Sequence, residues 1–411
     1  MRALPSGRAC LVALLSQAAF GAVRAQEVLS RGHPVGPVVA ATAVDLAEVT
    51  GLRALRDGRV LVFDQADARL WVLDSTLAVR TVLRDTVPPE ARRVGFTFRH
   101  DALLAFRGDS TLQIAARSRL LVVLDPNGNA VRSFLSPVAG ASEPGDRRPV
   151  GGVDGLGRLV YAGRGPPQFP NTHYPGDSTL PIAGTDSAPI FRGSAIEAEP
   201  TLVGRVKVPA ASRSVYATIT VAVMGRTVDV WCPVSVINPV EIRDDWVVLA
   251  DGSVAFIRAT DSHVDWTGLD GSRQASQPLV PNPRRISERE KSALVDSARV
   301  LQGALTCRGL PANVPGPQPQ FVDLSAIPDY LPAFVAGQSW ADADGRVWVE
   351  IMAASAGVGA TYAIVDRARG VVDRIRLARG DTIVGFGPGV VYLTEEHVGG
   401  VRLVKARIRG P

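Results

Sequence analysis

One motif recurs along this chain and restricts what it can fold into: a tight glycine-containing turn followed by a β-prone strand. Asp57-Gly58 leads into Val60-Leu61-Val62-Phe63, Asp251-Gly252 into Val254-Ala255-Phe256-Ile257, and Asp344-Gly345 into Val347-Trp348-Val349. Gly155-Leu156-Gly157 and Gly387-Pro388-Gly389 open weaker copies. Glycine supplies the positive φ that such turns need, and β-branched and aromatic residues fill the strands. A second motif follows most copies. Leu70-Trp71-Val72-Leu73-Asp74, Leu121-Val122-Val123-Leu124-Asp125 and Tyr362-Ala363-Ile364-Val365-Asp366 each end in an aspartate that closes one strand and opens a turn into the next.

Together the two motifs describe four short antiparallel strands, the unit of a propeller blade. Blades are expected near 52–83, 101–135, 150–208, 241–280, 338–377 and 382–409. The last has only three strands of its own. The strand-like stretch 38–46 supplies the fourth, so an N-terminal strand closes the ring and leaves no free edge. The expected fold is all-β, a six-bladed β-propeller forming a single domain over 26–411. A two-sheet β-sandwich is the competing architecture. One helix interrupts the strands near 287–305. Ser287 and Glu290 form a capping box, and Leu294, Ala298, Leu301 and Leu305 make an apolar stripe that should lie against the propeller. The pattern resembles the six-bladed propellers of the NHL-repeat and TolB-like kind, particularly exported bacterial members. There is no WD or YWTD signature.

The N-terminus carries an address. Arg2 and Arg8 precede a mostly apolar run from Ala9 to Ala22, and Val23-Arg24-Ala25 has the form of a cleavage site. Residues 1–25 therefore read as a signal peptide, with the mature chain starting at Gln26 in the periplasm or outside the cell. No later apolar run is long enough to span a bilayer. The whole chain has a net charge of +5. Removing the first 25 residues, which hold three arginines and no acid, leaves a nearly neutral protein, which excludes nucleic-acid binding driven by bulk charge. Cys232 and Cys307 remain after cleavage. Export permits a disulfide between them, and two separate buried thiols fit the spacing equally well.

In a blade, alternating strand directions place the first-to-second and third-to-fourth turns on one face. The second-to-third loops and the interblade crossings share the other. The long insertions 164–200, 209–240 and 281–337 all fall on the second face, and the first carries only short turns. A scaffold that decorates one face presents a binding surface there. Candidate ligand residues on that face are Asp67 and Arg69 of blade 1, Arg117 of blade 2, and Arg258, Asp261 and His263 of blade 4, with Asp265 beside them. His173 lies in the proline- and aromatic-rich insertion. His263 with Asp261 or Asp265 has the composition of an acid–base pair, and a structural, hydrogen-bonded histidine is the alternative.

No Walker A, Rossmann, HExxH or G-x-S-x-G motif is present. Propeller lactonases of the gluconolactonase-like type hold a divalent ion with Glu, Asn and Asp. The asparagines here, Asn127, Asn129, Asn171, Asn238, Asn282 and Asn313, fall in expected turns or insertions, so that site is not carried over and no metal or cofactor is expected. The reading is a monomeric binding module for an unknown protein or small polar ligand, without stable membrane insertion. The alternative is a hydrolase or lyase acting on a small ester, lactone or glycan at the central channel. Whether the chain is an enzyme is left open.

Overall fold

The computed structural model describes residues 32–64, 66–67, 69–84, 103–114, 120–135, 150–163, 187–194, 200–208, 214–223, 226–240, 242–276, 278–279, 284–302, 314, 316, 318, 320–352, 359–397 and 400–409. Arg117, His173, Cys307 and the signal-peptide region lie outside these residues.

Six four-stranded antiparallel units follow one another. Blade 1 contains Val49–Ala54, Val60–Asp64, Arg69–Leu73 and Val79–Arg84. Blade 2 contains Leu103–Ala105, Thr111–Ile114, Leu120–Leu124 and Ala130–Leu135. Blade 3 contains Val150–Val153, Leu159–Ala162, Ser187–Gly193 and Thr201–Lys207. Blade 4 contains Asp245–Val248, Val254–Ile257, Val264–Thr267 and Arg273–Ala275. Blade 5 contains Trp340–Ala341, Val347–Ile351, Thr361–Asp366 and Gly370–Arg376.

Blade 6 contains Thr382–Gly387, Val390–His397 and Gly400–Arg407, with Val38–Ala41 as its outer strand. The N-terminal strand pairs antiparallel with the last one, Val38 opposite Ala406 and Ala41 opposite Val404. This is the ring closure expected from the sequence. A detail the sequence did not suggest lies just upstream. His33–Pro34 runs parallel to Ile375–Arg376 as a fifth strand on blade 5, and His33 Nε2 lies 2.9 Å from an Asp373 oxygen.

Successive side chains of a strand point to opposite faces, so unbroken apolar runs such as Val60-Leu61-Val62 and Leu70-Trp71-Val72-Leu73 make a blade apolar on both faces, and every blade buries one face against each neighbour. Six apolar seams result. Leu61, Leu70, Leu103 and Val122 join blades 1 and 2; Leu112, Leu121, Leu159 and Tyr161 join blades 2 and 3. Val160, Ile190, Trp246 and Phe256 join blades 3 and 4; Ala255, Trp266, Val347 and Val349 join blades 4 and 5. Trp348, Ile364, Ile383 and Val391 join blades 5 and 6, and Val62, Trp71, Val384 and Tyr392 bring blade 6 back to blade 1. Side chains this deeply buried contribute about 1.5–3 kcal/mol each relative to exposure. Gly151 is required at one seam: a Cβ there would sit 2.3 Å from the Trp246 ring.

Aspartates lock the turns. Asp125 Oδ1 accepts from Asn127 N at 2.8 Å and Asn129 N at 2.9 Å; Asp154 Oδ1 accepts from Leu156 N and Arg158 N, both at 2.9 Å. Asp342 and Asp74 repeat the pattern with amides two and four residues on. Gly128, with φ of 84°, completes the Asp125 turn, and a side chain there would run into Leu70 and Leu83 of blade 1. The repeated aspartates are thus explained by backbone satisfaction.

Two insertions combine into a small cap. The first, between Lys207 and Asp244, is a hairpin of Ser214–Val223 and Arg226–Ile237. The second, between blades 4 and 5, contains helix α1 (Glu288–Gln302) and the strand Gln320–Phe321. Val236–Ile237 pairs parallel with Gln320–Phe321, making a three-stranded sheet across the two insertions. Val240, Ile286, Val295 and Ile327 form a shared apolar cluster, with Leu294, Phe321, Val322, Leu324 and Leu331 packed around it.

The capping box is present: Ser287 N donates to Glu290 Oε2 at 2.9 Å and Glu290 N donates to Ser287 Oγ at 3.3 Å. The docking of α1 corrects the sequence expectation. Lys291 and Val295 are its buried residues, with Leu294 and Ala298 half-buried beside them, and its partners belong to the cap rather than to a blade. The side chain of Leu301 and all of Leu305 lie outside the described residues. Cys232 is disulfide-bonded. The chain's other cysteines are Cys10, in the signal-peptide region, and Cys307.

Candidate functional site

The antiparallel registers fix which loops share a face. The cap, the second-to-third loops and the interblade crossings all emerge together, opposite the short turns. Among the described residues of this loop-rich face, a charged cluster surrounds the blade-4 loop 258–263. Arg258 Nε donates to Asp265 Oδ2 at 2.7 Å, while its Nη1 donates to Asp244 Oδ2 at 2.9 Å and to the Arg205 carbonyl at 2.7 Å. The guanidinium also sits 5.0 Å from the Phe256 ring centroid. Burial disfavours its charge, but the two carboxylates outweigh that effect and hold Arg258 protonated.

Asp244 accepts two further amides, Lys207 N and Ala259 N, both at 2.9 Å. It is buried and sits where the hairpin insertion returns to the blade. The cluster therefore clamps the root of the cap to the blade-4 loop.

His263 meets both carboxylates between which the sequence left a choice. Its Nδ1 lies 2.8 Å from Asp261 Oδ1 and its Nε2 lies 2.9 Å from Asp265 Oδ1. The Nε2–Asp265 contact is a hydrogen bond, and Asp261 lies at ion-pair distance from the other ring nitrogen. The histidine links the two carboxylates of the loop in this arrangement. Burial raises Asp265, but hydrogen bonds from Arg258 and His263 together hold it below the ordinary carboxylate range. Arg258, expected as an anion contact, already has its charge matched by Asp244 and Asp265.

Asp67 and Arg69 form a local ion pair at 3.0 Å in the blade-1 loop, three blades around the ring from His263. They do not join the blade-4 cluster.

Other groups on this face escaped the sequence reading. Asp64 accepts Ala47 N and Glu48 N, and Asp245 accepts Gly337 N and Ser339 N, so each carboxylate anchors an interblade crossing. Glu350, at the loop-face end of the second strand of blade 5, is raised by burial. Its one hydrogen bond among those resolved for the carboxylate, from Tyr362 Oη at 3.2 Å, only partly offsets this. Asp381, at the start of blade 6, is raised by burial and by the neighbouring charge of Glu395. Glu395 in turn pairs with Arg402 at 2.5 Å.

The opposite face holds a cleft of about 460 Å³ between blades 1 and 2, lined by Asp57, Arg59, Asp74, Arg80, Thr81 and Asn127 among others. Its charges are matched internally: Arg59 pairs with Asp57 and donates to Asn127, and Arg80 pairs with Asp74. The described residues thus show a cleft on the face where the sequence placed only bare turns. They show no group of three or more His, Cys, Asp or Glu arranged to hold a metal ion.

No protein-family model matches the chain, and no curated protein matches it. Solved structures give the comparison. The chain is a six-bladed β-propeller with structural neighbours of the streptogramin B lyase and gluconolactonase kind. A streptogramin B lyase matches at 10% identity and a TM-score of 0.38, covering 90% of this chain and 96% of the other. Virginiamycin B lyase from Staphylococcus aureus matches at 10% identity and 0.38, covering 89% and 83%. A gluconolactonase from Xanthomonas campestris matches at 11% and 0.39, covering 92% and 99%. At these values the likeness carries no argument about chemistry, and the blade count rests on the strand registers and the six seams. No helix among the described residues is long and apolar enough to cross a membrane.

Proposed function

We propose that the chain is an exported propeller, of the NHL-repeat and TolB-like kind, that binds a protein or small polar ligand through its loop-rich face. The observation that carries this reading is the cap. Two separate crossings contribute to one sheet and one apolar cluster, so the decoration on this face is folded rather than loose. A surface ordered before binding spends less entropy on recognition than free loops do. The disulfide at Cys232 accords with an oxidising compartment and hence with export.

The test uses a hairpin deletion. Lys207 O and Asp244 N lie 3.0 Å apart, so residues 209–240 can be replaced by a short Gly-Ser linker without opening the blade. Mature protein and deletion variant are compared for capture of species from periplasmic extract. Species retained by the intact protein and lost by the variant support the reading; identical capture overturns it.

A second reading, a hydrolase or lyase at the channel mouth, is favoured by Glu350. A carboxylic acid raised by burial is suited to donate a proton to a leaving group. Turnover of small lactones and esters that disappears in Glu350→Gln, with the melting temperature retained, supports that reading. Turnover unchanged in the variant removes Glu350 from it.

A further inference from the structure

The outer strands of the sheets differ in how they discourage further pairing. Val79–Arg84 carries Arg80 and Arg84, Ala130–Leu135 carries Arg132, and Thr201–Lys207 carries Arg205 and Lys207. Arg273–Ala275 has Arg273, and Gly370–Arg376 is partly covered by the two-residue strand His33–Pro34. Val38–Ala41 is uncharged, but it is four residues long and its register is shifted by a bulge. Charge, brevity and bulging are the usual means by which an edge is kept from pairing with another chain.

Ser214–Val223 of the cap hairpin has none of these. Its ten residues, Ser-Val-Tyr-Ala-Thr-Ile-Thr-Val-Ala-Val, include no charge, proline or glycine. They pair with Arg226–Ser235 in ten consecutive steps without a bulge. The strand lies at the edge of the cap sheet, and among the described residues nothing pairs with its outer side. The inner strand is protected differently: it contains Arg226, Asp229 and Pro233, and its far end is occupied by Gln320–Phe321.

We propose that the outer edge of Ser214–Val223 pairs antiparallel with the same strand of a second copy, joining two caps through a continuous sheet. Self-pairing is favoured over a foreign strand because this strand is its own complement. It is uncharged, so nothing in it repels its copy. A two-fold axis normal to the sheet sets residues of like parity opposite each other, so each face continues across the junction. Most of the hairpin is a two-stranded ribbon, which is marginal in water, and four strands meet the requirement for a stable sheet. Val228 near the ribbon tip is 46% exposed, although Val221 opposite it is 5% exposed and Val234 nearer the base is 1% exposed. The proposal replaces the sequence expectation of a monomer.

Thr218 is exposed and lies near the middle of the strand, so in a two-fold pairing the two Thr218 positions are opposite or diagonal neighbours. Sedimentation velocity of the mature protein over a concentration series is the test. The wild type is expected to show a monomer–dimer equilibrium. Thr218→Lys and Thr218→Glu, each alone, should weaken it about fivefold through like charges across the junction. An equimolar mixture of the two should recover wild-type association, which a variant that had merely lost its fold would not do. A wild type that stays monomeric throughout overturns the proposal. So do variants that dimerise as well as the wild type, or a mixture no stronger than the separate variants.

Discussion

The two faces of the ring use their carboxylates differently. On the short-turn face, Asp74, Asp125 and Asp366 receive backbone and side-chain hydrogen bonds from the turns they open, and all three are held below the ordinary carboxylate range. On the loop-rich face the pattern divides. Asp64, Asp244 and Asp245 anchor crossings, while Glu350 and Asp381 are raised by burial without enough donors to compensate. One face fastens the blades. The other combines anchors with carboxyls that burial pushes up, a condition associated with working surfaces.

Substitutions can break this contrast. The largest effect is expected from Asp342→Ala on the short-turn side. The Asp342 side chain is 1% exposed and accepts from the Asp344 and Arg346 amides, Arg346 Nε and Trp348 Nε1. Its removal leaves the buried Trp348 Nε1 and two turn amides without their acceptor and Arg346 with Asp344 alone, and should cost about 3–5 kcal/mol in chemical denaturation. A loss below about 1 kcal/mol would mean the turn lock is not structural.

Asp244→Ala comes next, at about 2–3 kcal/mol, because Arg258 keeps Asp265 as a partner. Faster amide exchange at Lys207 and Ala259 should accompany it. Unchanged exchange there would separate Asp244 from the root of the cap.

The smallest effect belongs to Glu350→Gln and depends on pH. A carboxyl raised in the folded state supports stability below its unfolded pKa and loses that support as pH rises through its folded value. Glutamine mimics the protonated acid at every pH. The variant should therefore melt above the wild type at neutral pH and converge with it in acid. Equal melting temperatures at neutral pH would show that Glu350 is not strained.

The ring was legible because its signals are local. Each Asp-Gly turn, each strand ending in Asp and the orphan strand at 38–46 can be read within a few residues. The Asp261-x-His263-x-Asp265 spacing likewise pointed to a real contact, since residues two apart stay close along the chain even through the left-handed turn at Ser262. The cap was hidden because its contacts join distant segments, Ile237 with Phe321 and Val240 with Val295. The same distance concealed the pairing of Arg258 with Asp244, which turns an expected anion contact into a clamp. The raised state of Glu350 depends on burial, which no local pattern records.

The central claim is that the two insertions form one cap set upon an independent ring, and Val295→Asp tests it most directly. Val295 is 7% exposed in the cluster shared by both insertions. A buried unpaired carboxylate costs on the order of 3 kcal/mol. Hydrogen exchange of the variant should show protection lost together in Arg226–Ile237, α1 and Gln320–Phe321, with the strands of blades 1, 2 and 6 unchanged. A hairpin that keeps its protection while the helix melts, or a loss spread evenly through the blades, would contradict the account.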